Sequence, residues 1–104
     1  MTTYTDRDDG RSISLTPGEG FEIRLSENPT TGYRWQLDEW ERAILELTRD
    51  EFHPPDPAPY GAGGEHGWRF VASAPGQTSL HLAYRRGRGS GAAARTFSLD
   101  VTVT

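Results

Sequence analysis

Apolar side chains recur at every second position in five stretches of the chain. Phe21, Ile23 and Leu25 alternate with Glu22 and Arg24. Tyr33, Trp35 and Leu37 alternate with Arg34 and Gln36, and Trp68, Phe70 and Ala72 with Arg69 and Val71. Leu80, Leu82 and Tyr84 alternate with His81 and Ala83, and Phe97, Leu99, Val101 and Val103 with Ser98, Asp100 and Thr102. A period of two sends successive side chains to opposite faces of an extended backbone, so each stretch reads as a strand with one face in a core and one in water. Turn-forming residues separate them: Thr16-Pro17-Gly18, Asn28-Pro29, Pro75-Gly76 and a glycine-rich run over 87–91. Short strands at this spacing predict an all-β sandwich or barrel.

Three segments depart from that rule. In residues 37–52 (LDEWERAILELTRDEF), Trp40, Ala43, Ile44 and Leu47 fall at helical spacing, yet Leu45 and Leu47 also alternate with Glu46 and Thr48. The pattern is read as a turn through 38–42 and a strand over 43–49, with a short helix as the alternative. Residues 53–59 (HPPDPAP) are proline-rich. Proline has no amide hydrogen to donate, so they read as a stiff extended connection rather than a strand. Residues 1–11 (MTTYTDRDDGR) lack periodicity and read as a flexible or edge-pairing tail. No repeat or linker divides the chain, and a single domain over 1–104 is expected.

Composition narrows the chemistry. Only 34% of residues are hydrophobic, so the 11% that are aromatic must carry much of the core. The net charge is −4, and no cluster of cations is large enough to track phosphates, which argues against nucleic acid. Without cysteine there is no disulfide, no thiol nucleophile and no thiolate metal site. No apolar run approaches the roughly 18 residues a membrane span requires, so no membrane insertion is expected. Residues 1–10 are polar and acidic, and no signal peptide is expected in them. A cytoplasmic location and a secreted or periplasmic one after processing both stay open.

Two stretches carry more specific chemistry than a β-domain needs. The first is Asn28-Pro29-Thr30-Thr31-Gly32-Tyr33. Pro29 fixes its own φ and steers Asn28 away from the helical region, the Asn28 side chain is suited to bond nearby backbone, and Gly32 permits a positive φ before the next strand. Between them stand two β-branched residues with few rotamers. This describes either an ordinary well-formed turn or a stiff, compact, uncharged tip. The second stretch is Gly61-Ala62-Gly63-Gly64. A phosphate cradle would need a following helix and usually a lysine, but a strand with Trp68 and Phe70 follows. A flexible connection remains, or a loop that lays its backbone against another protein.

These two stretches, in this order and spacing, together with Trp35 and with Leu82-Ala83-Tyr84 leading into an arginine-rich loop and a last strand over 97–103, resemble the chagasin family of cysteine-protease inhibitors. The resemblance runs from about Ser14 to Val103. It implies an immunoglobulin-like β-sandwich of about seven to eight strands, with three loops clustered at one end that occlude the cleft of papain-like cysteine proteases. Asn28, Pro29, Thr30, Thr31, Gly32 and Tyr33 would form the central loop, with Thr31 near the enzyme's catalytic Cys and His. Gly61, Ala62, Gly63 and Gly64 would flank it on one side, and the third loop over 85–91, with Arg86 and Arg88, on the other. The protein would act as a monomer and would itself be no enzyme. At the third loop the sequence departs from the family pattern of Arg-Pro-aromatic: Arg86 matches, but Gly87 replaces the proline and Arg88 the aromatic. A buried aromatic anchor is commonly worth about 2 kcal/mol or more at an interface, so weaker inhibition or a different set of targets follows.

The remaining candidates are weaker. His53, His66 and His81 show no metal-ligand spacing, and neither a metal nor a cofactor is expected. Asp6, Asp8 and Asp9 form an acidic stretch without the spacing of a calcium loop. Trp35 and Trp68 lie on apolar strand faces and read as core; Trp40 has no clear place. The competing function is an immunoglobulin-like binding or adhesion module that has lost inhibition.

Overall fold

The alternating stretches pair as the period-two pattern requires. The computed structural model describes residues 1–54, 63–87 and 92–104. Among these, eight strands form two four-stranded sheets: β1 (Thr2–Tyr4), β2 (Arg11–Leu15), β3 (Gly20–Glu27), β4 (Tyr33–Leu37), β5 (Leu45–His53), β6 (Gly64–Ala72), β7 (Gly76–Arg86) and β8 (Arg95–Val103). One sheet runs β1-β3-β6-β5 and the other β2-β8-β7-β4. This is the expected all-β, immunoglobulin-like sandwich.

The two inner faces interlock in one core. From the first sheet come Phe21, Ile23, Leu25, Leu45, Trp68, Phe70 and Ala72. The second contributes Trp35, Leu80, Leu82, Phe97, Leu99, Val101 and Val103. Phe21 stacks on Phe70 with ring centroids 5.4 Å apart, and Trp68 is 1% exposed. The aromatic residues thus supply the large buried side chains that the low hydrophobic content called for.

Three segments refine the sequence reading. The helical alternative for 37–52 is not taken. Residues 42–44 turn instead, the amides of Ile44 and Leu45 both donating to the Glu41 carbonyl at 3.0 and 3.2 Å. The strand then begins at Leu45 and runs past the expected end to His53. His53 is therefore not part of a connection: it pairs with Glu65 across β5 and β6, because the proline that stops the ladder is Pro54. Residues 55–59 of the proline-rich stretch lie outside the described residues. Within 1–11, Thr2–Tyr4 pairs parallel with β3, and a 3-10 turn spans Asp6–Asp8. Strand β2 pairs parallel with β8 and buries Ile13 and Leu15.

Candidate functional site

The registers decide where the connections emerge. Glu27, the last residue of β3, is opposite Gly64, the first of β6. Tyr33, which opens β4, is opposite Arg86, which ends β7. The β3–β4, β5–β6 and β7–β8 connections therefore leave the same end of the sandwich, and the other end holds the turns at 16–19, 38–44 and 73–75.

The β3–β4 loop is fixed from within. Pro29–Thr31 forms a single 3-10 turn, a shape that the proline's φ favours at the first position. The Asn28 side-chain oxygen accepts from the Thr30 amide at 3.2 Å and the Thr30 hydroxyl at 2.6 Å. The Thr31 hydroxyl donates to the Asn28 carbonyl at 2.7 Å. Gly32 closes the turn at φ +83, where a side chain would be strained, and its amide donates to Pro29. Thr30, Thr31 and Gly32 are left exposed, while Asn28 and Pro29 are half-buried. The internal bonds occupy the loop's own polar groups, which pre-orders the tip before any partner arrives.

Beneath the loop lies a hydrogen-bonded layer. Glu27 is 2% exposed and faces inward, continuing the series Phe21, Ile23, Leu25. Its carboxylate accepts from the Trp35 amide at 2.8 Å, so a β3 side chain holds the first turn of β4 in the opposite sheet. Its other oxygen lies 3.1 Å from His66 Nδ1. The His66 ring stacks on Trp68 at 4.2 Å, and its Nε2 bonds Asp50. The Asn28 amide donates to the Tyr84 hydroxyl at 3.0 Å. Tyr84 is sandwiched between Tyr33 (5.5 Å) and Trp35 (5.0 Å).

The neighbouring loops come against this base. A Cβ on Gly63 would lie 3.3 Å from the Asn28 Cβ, so the glycine-rich segment touches the central loop. Gly64 is needed for a different reason: a Cβ there would meet the His53 carbonyl oxygen at 2.3 Å, so only glycine lets β5 and β6 approach at this point. On the opposite flank, the Gly87 amide donates to the Gly32 carbonyl at 3.4 Å, and the Gln36 amide group donates to the Gly87 carbonyl at 3.0 Å. Gly87 adopts φ +70, which proline cannot reach, so a proline at this position would require a different backbone path.

Of the residues singled out in the sequence, Asn28, Pro29, Thr30, Thr31, Gly32, Tyr33, Gly63, Gly64 and Arg86 thus gather at one end. Gly61, Ala62 and Arg88 lie outside the described residues. The sequence reading overlooked Glu27 and His66. A signal existed for Glu27: a carboxylate at a core-facing position of a period-two strand requires buried partners. Trp40 finds its place at the far end, where its Nε1 donates to the Leu45 carbonyl at 2.9 Å and its ring stands edge-on to Phe70 at 5.6 Å. Two carboxylates, the half-buried Asp8 and the exposed Glu19, are pulled below the ordinary range. Asp8 is lowered chiefly by the Thr5 amide, with Arg11 adding to it. Glu19 is lowered by the Thr16 hydroxyl and then the Thr16 amide. Among the described residues no group of three or more His, Asp or Glu side chains is placed to hold a metal ion.

With this geometry in view, residues 14–103 match the model of the chagasin family of peptidase inhibitors, I42. The chain is 35% identical over 103 residues to amoebiasin-1 of Entamoeba histolytica, covering 97% of this chain and 98% of that protein. It is 30% identical over 86 residues to chagasin of Trypanosoma cruzi, covering 79% and 78% of the two chains. Among solved structures, EhICP2, a cysteine protease inhibitor of Entamoeba histolytica, superposes with a TM-score of 0.85 over 99% of this chain and 95% of its own at 22% identity, a likeness of fold.

Proposed function

The chain belongs to the chagasin family of peptidase inhibitors, and we propose that it blocks papain-like cysteine proteases by seating the loop 28–32 in the catalytic cleft, with the glycine-rich segment 61–64 on one flank and the segment 85–91 on the other. Thr31 sits nearest the enzyme's Cys and His. The observation that carries this reading is the central loop itself: an exposed, uncharged tip whose polar groups are already paired, beside Gly63 and Gly87.

A protease cleft accepts an extended peptide in one register. A 3-10 turn closed by Gly32 is not extended, so it fills the groove without bringing a carbonyl in line with the thiolate. Because the loop is ordered before docking, little entropy is lost, and the contact energy appears as affinity. Three loops on one rigid end offer a patch on the order of 800 Å² per partner, the usual size for protease–inhibitor pairs. The inhibitor supplies shape and rigidity and performs no chemistry.

The test is inhibition of papain by the purified protein and by Thr31→Glu. A carboxylate forced into the cleft without a partner is expected to weaken inhibition by about 100-fold or more. Thermal stability should change little, since the side chain is exposed and contributes one or two local hydrogen bonds. Equal inhibition by the two proteins would remove the central loop from the cleft.

A further inference from the structure

We propose that Arg34, Arg85 and Arg86 form a cationic ledge beside the central loop, and that it docks on carboxylates bordering the cleft of the target protease. The proposal rests on the inhibitory reading above and adds the surface that selects among targets.

The ledge follows from the β4–β7 register. Arg34 stands directly opposite Arg85, and the next pair sets Arg86 opposite Tyr33. Directly opposed side chains share one sheet face with Cβ atoms about 5 Å apart, and like charges there are unfavourable. Two guanidinium groups are thus held together on the outer face of the sheet, next to the loop end. Arg86, the next residue, points to the other face of β7 and carries charge to the loop itself: a Cβ on Gly32 would lie 3.5 Å from its Nε.

The rest of the molecule shows how unusual this is. Its 11 cations are all arginine, set among 15 acidic residues. Arg11, Arg24, Arg42, Arg49, Arg69 and Arg95 each hold a carboxylate. Arg7, Arg34 and Arg86 are exposed and, among the described residues, hold no carboxylate; of these, Arg34 and Arg86 stand beside the central loop. In an acidic chain, Arg34 and Arg86 standing at a proposed interface without a carboxylate match an acidic partner, because the guanidinium fork binds carboxylates in a bidentate manner. Cations placed beside the loop favour approach to a negative surface.

The ledge predicts opposite effects on stability and on binding. Arg34→Glu turns a like-charge pair with Arg85 into an opposite-charge one, so its melting temperature should equal or exceed that of the parent. Its association with an acidic-rimmed enzyme should slow by about 10-fold at low salt. The experiment measures association rates at low and high salt for the parent, Arg34→Glu and the neutral Arg34→Gln. The enzymes are papain-like proteases ranked by the number of carboxylates around their clefts. The expected result is a parent rate that rises with that number and falls with salt, and an order that flattens in Arg34→Gln and reverses in Arg34→Glu. Inhibition by the parent with rates independent of rim charge, salt and Arg34 overturns the ledge while leaving the loop mechanism intact. Absence of inhibition by the parent across the panel overturns both.

Discussion

Where β4 runs toward β5, an apolar plug closes the sandwich. Trp40 stands edge-on to Phe70, Arg42 lies 4.4 Å over its ring, and Ile44 packs against the core. At the loop end the seal is polar: Glu27, His66 and Asp50 form a chain of contacts from β3 through β6 to β5, and Glu27 also holds the backbone of β4. Apolar contact is non-directional and tolerates small shifts of the groups that make it. A buried carboxylate accepts at set distances and angles, so it fixes where its donors sit. The polar seal occupies the end at which the position of a loop matters.

Glu27→Ala breaks this contrast hardest. It leaves the Trp35 amide and one nitrogen of His66 without their partner in a buried layer, and each buried polar group left unsatisfied costs about 1–3 kcal/mol. Together the two approach the whole stability of a small domain. A urea midpoint measured for the variant should fall accordingly. Glu27→Gln keeps the shape and an acceptor for Trp35, so it should fold with a loss of about 1–3 kcal/mol. Its inhibition of papain should weaken even at temperatures where it is fully folded, because the base of the loop is less firmly held. Unchanged inhibition by a folded Glu27→Gln would mean that the layer serves stability alone.

Trp40→Ala tests the other end. Full burial of a Trp is worth about 3–5 kcal/mol against Ala; Trp40 is half-buried, so a loss of about 2 kcal/mol is expected in urea unfolding. The inhibition constant should stay within about twofold of the parent, since sites this far apart act additively. A shift matching that of Glu27→Gln would show the two ends to be coupled.

The contrast also explains what was legible in the sequence. The strands with three or more alternating apolar residues were readable because each must bury one face. Their count places the loops as well: two strands separate 28–32 from 61–64, and two more separate those from 85–91, so all three return to the same end. Strands β1 and β2 were not readable, because Tyr4 alone, and Ile13 with Leu15, are too few to show a period. Their parallel pairing is set by distant partners on β3 and β8. The polar layer was hidden by a bulge. The β5 register shifts between Leu47 and Arg49, which resets the alternation so that Asp50, opposite Trp68, turns toward His66. An uninterrupted period of two from Leu45 would have sent Arg49 inward and Asp50 out.

The smallest effect comes from acid, and it reaches both ends. Asp8 accepts from the Thr5 amide and from Arg11 in the turn whose neighbour Asp6 ties Ser26 to Arg95 near the loop end. Glu19 accepts from the Thr16 amide and hydroxyl in the turn at the opposite end. Both carboxylates are held below their ordinary range in the folded protein, so the unfolded chain takes up their protons first. The stability they add is complete above the unfolded carboxylate range and is lost as pH falls through the lower, folded values. Both are solvent-accessible, so each contribution is small and screened by salt. Melting curves from about pH 6 down to about pH 2 should show Asp8→Asn and Glu19→Gln slightly less stable than the parent at the upper limit and converging with it in acid. If Asp8→Asn also weakens inhibition at neutral pH while Glu19→Gln does not, the turn near the loop end supports the loop. Equal inhibition by both would confine that support to Glu27, His66 and Tyr84.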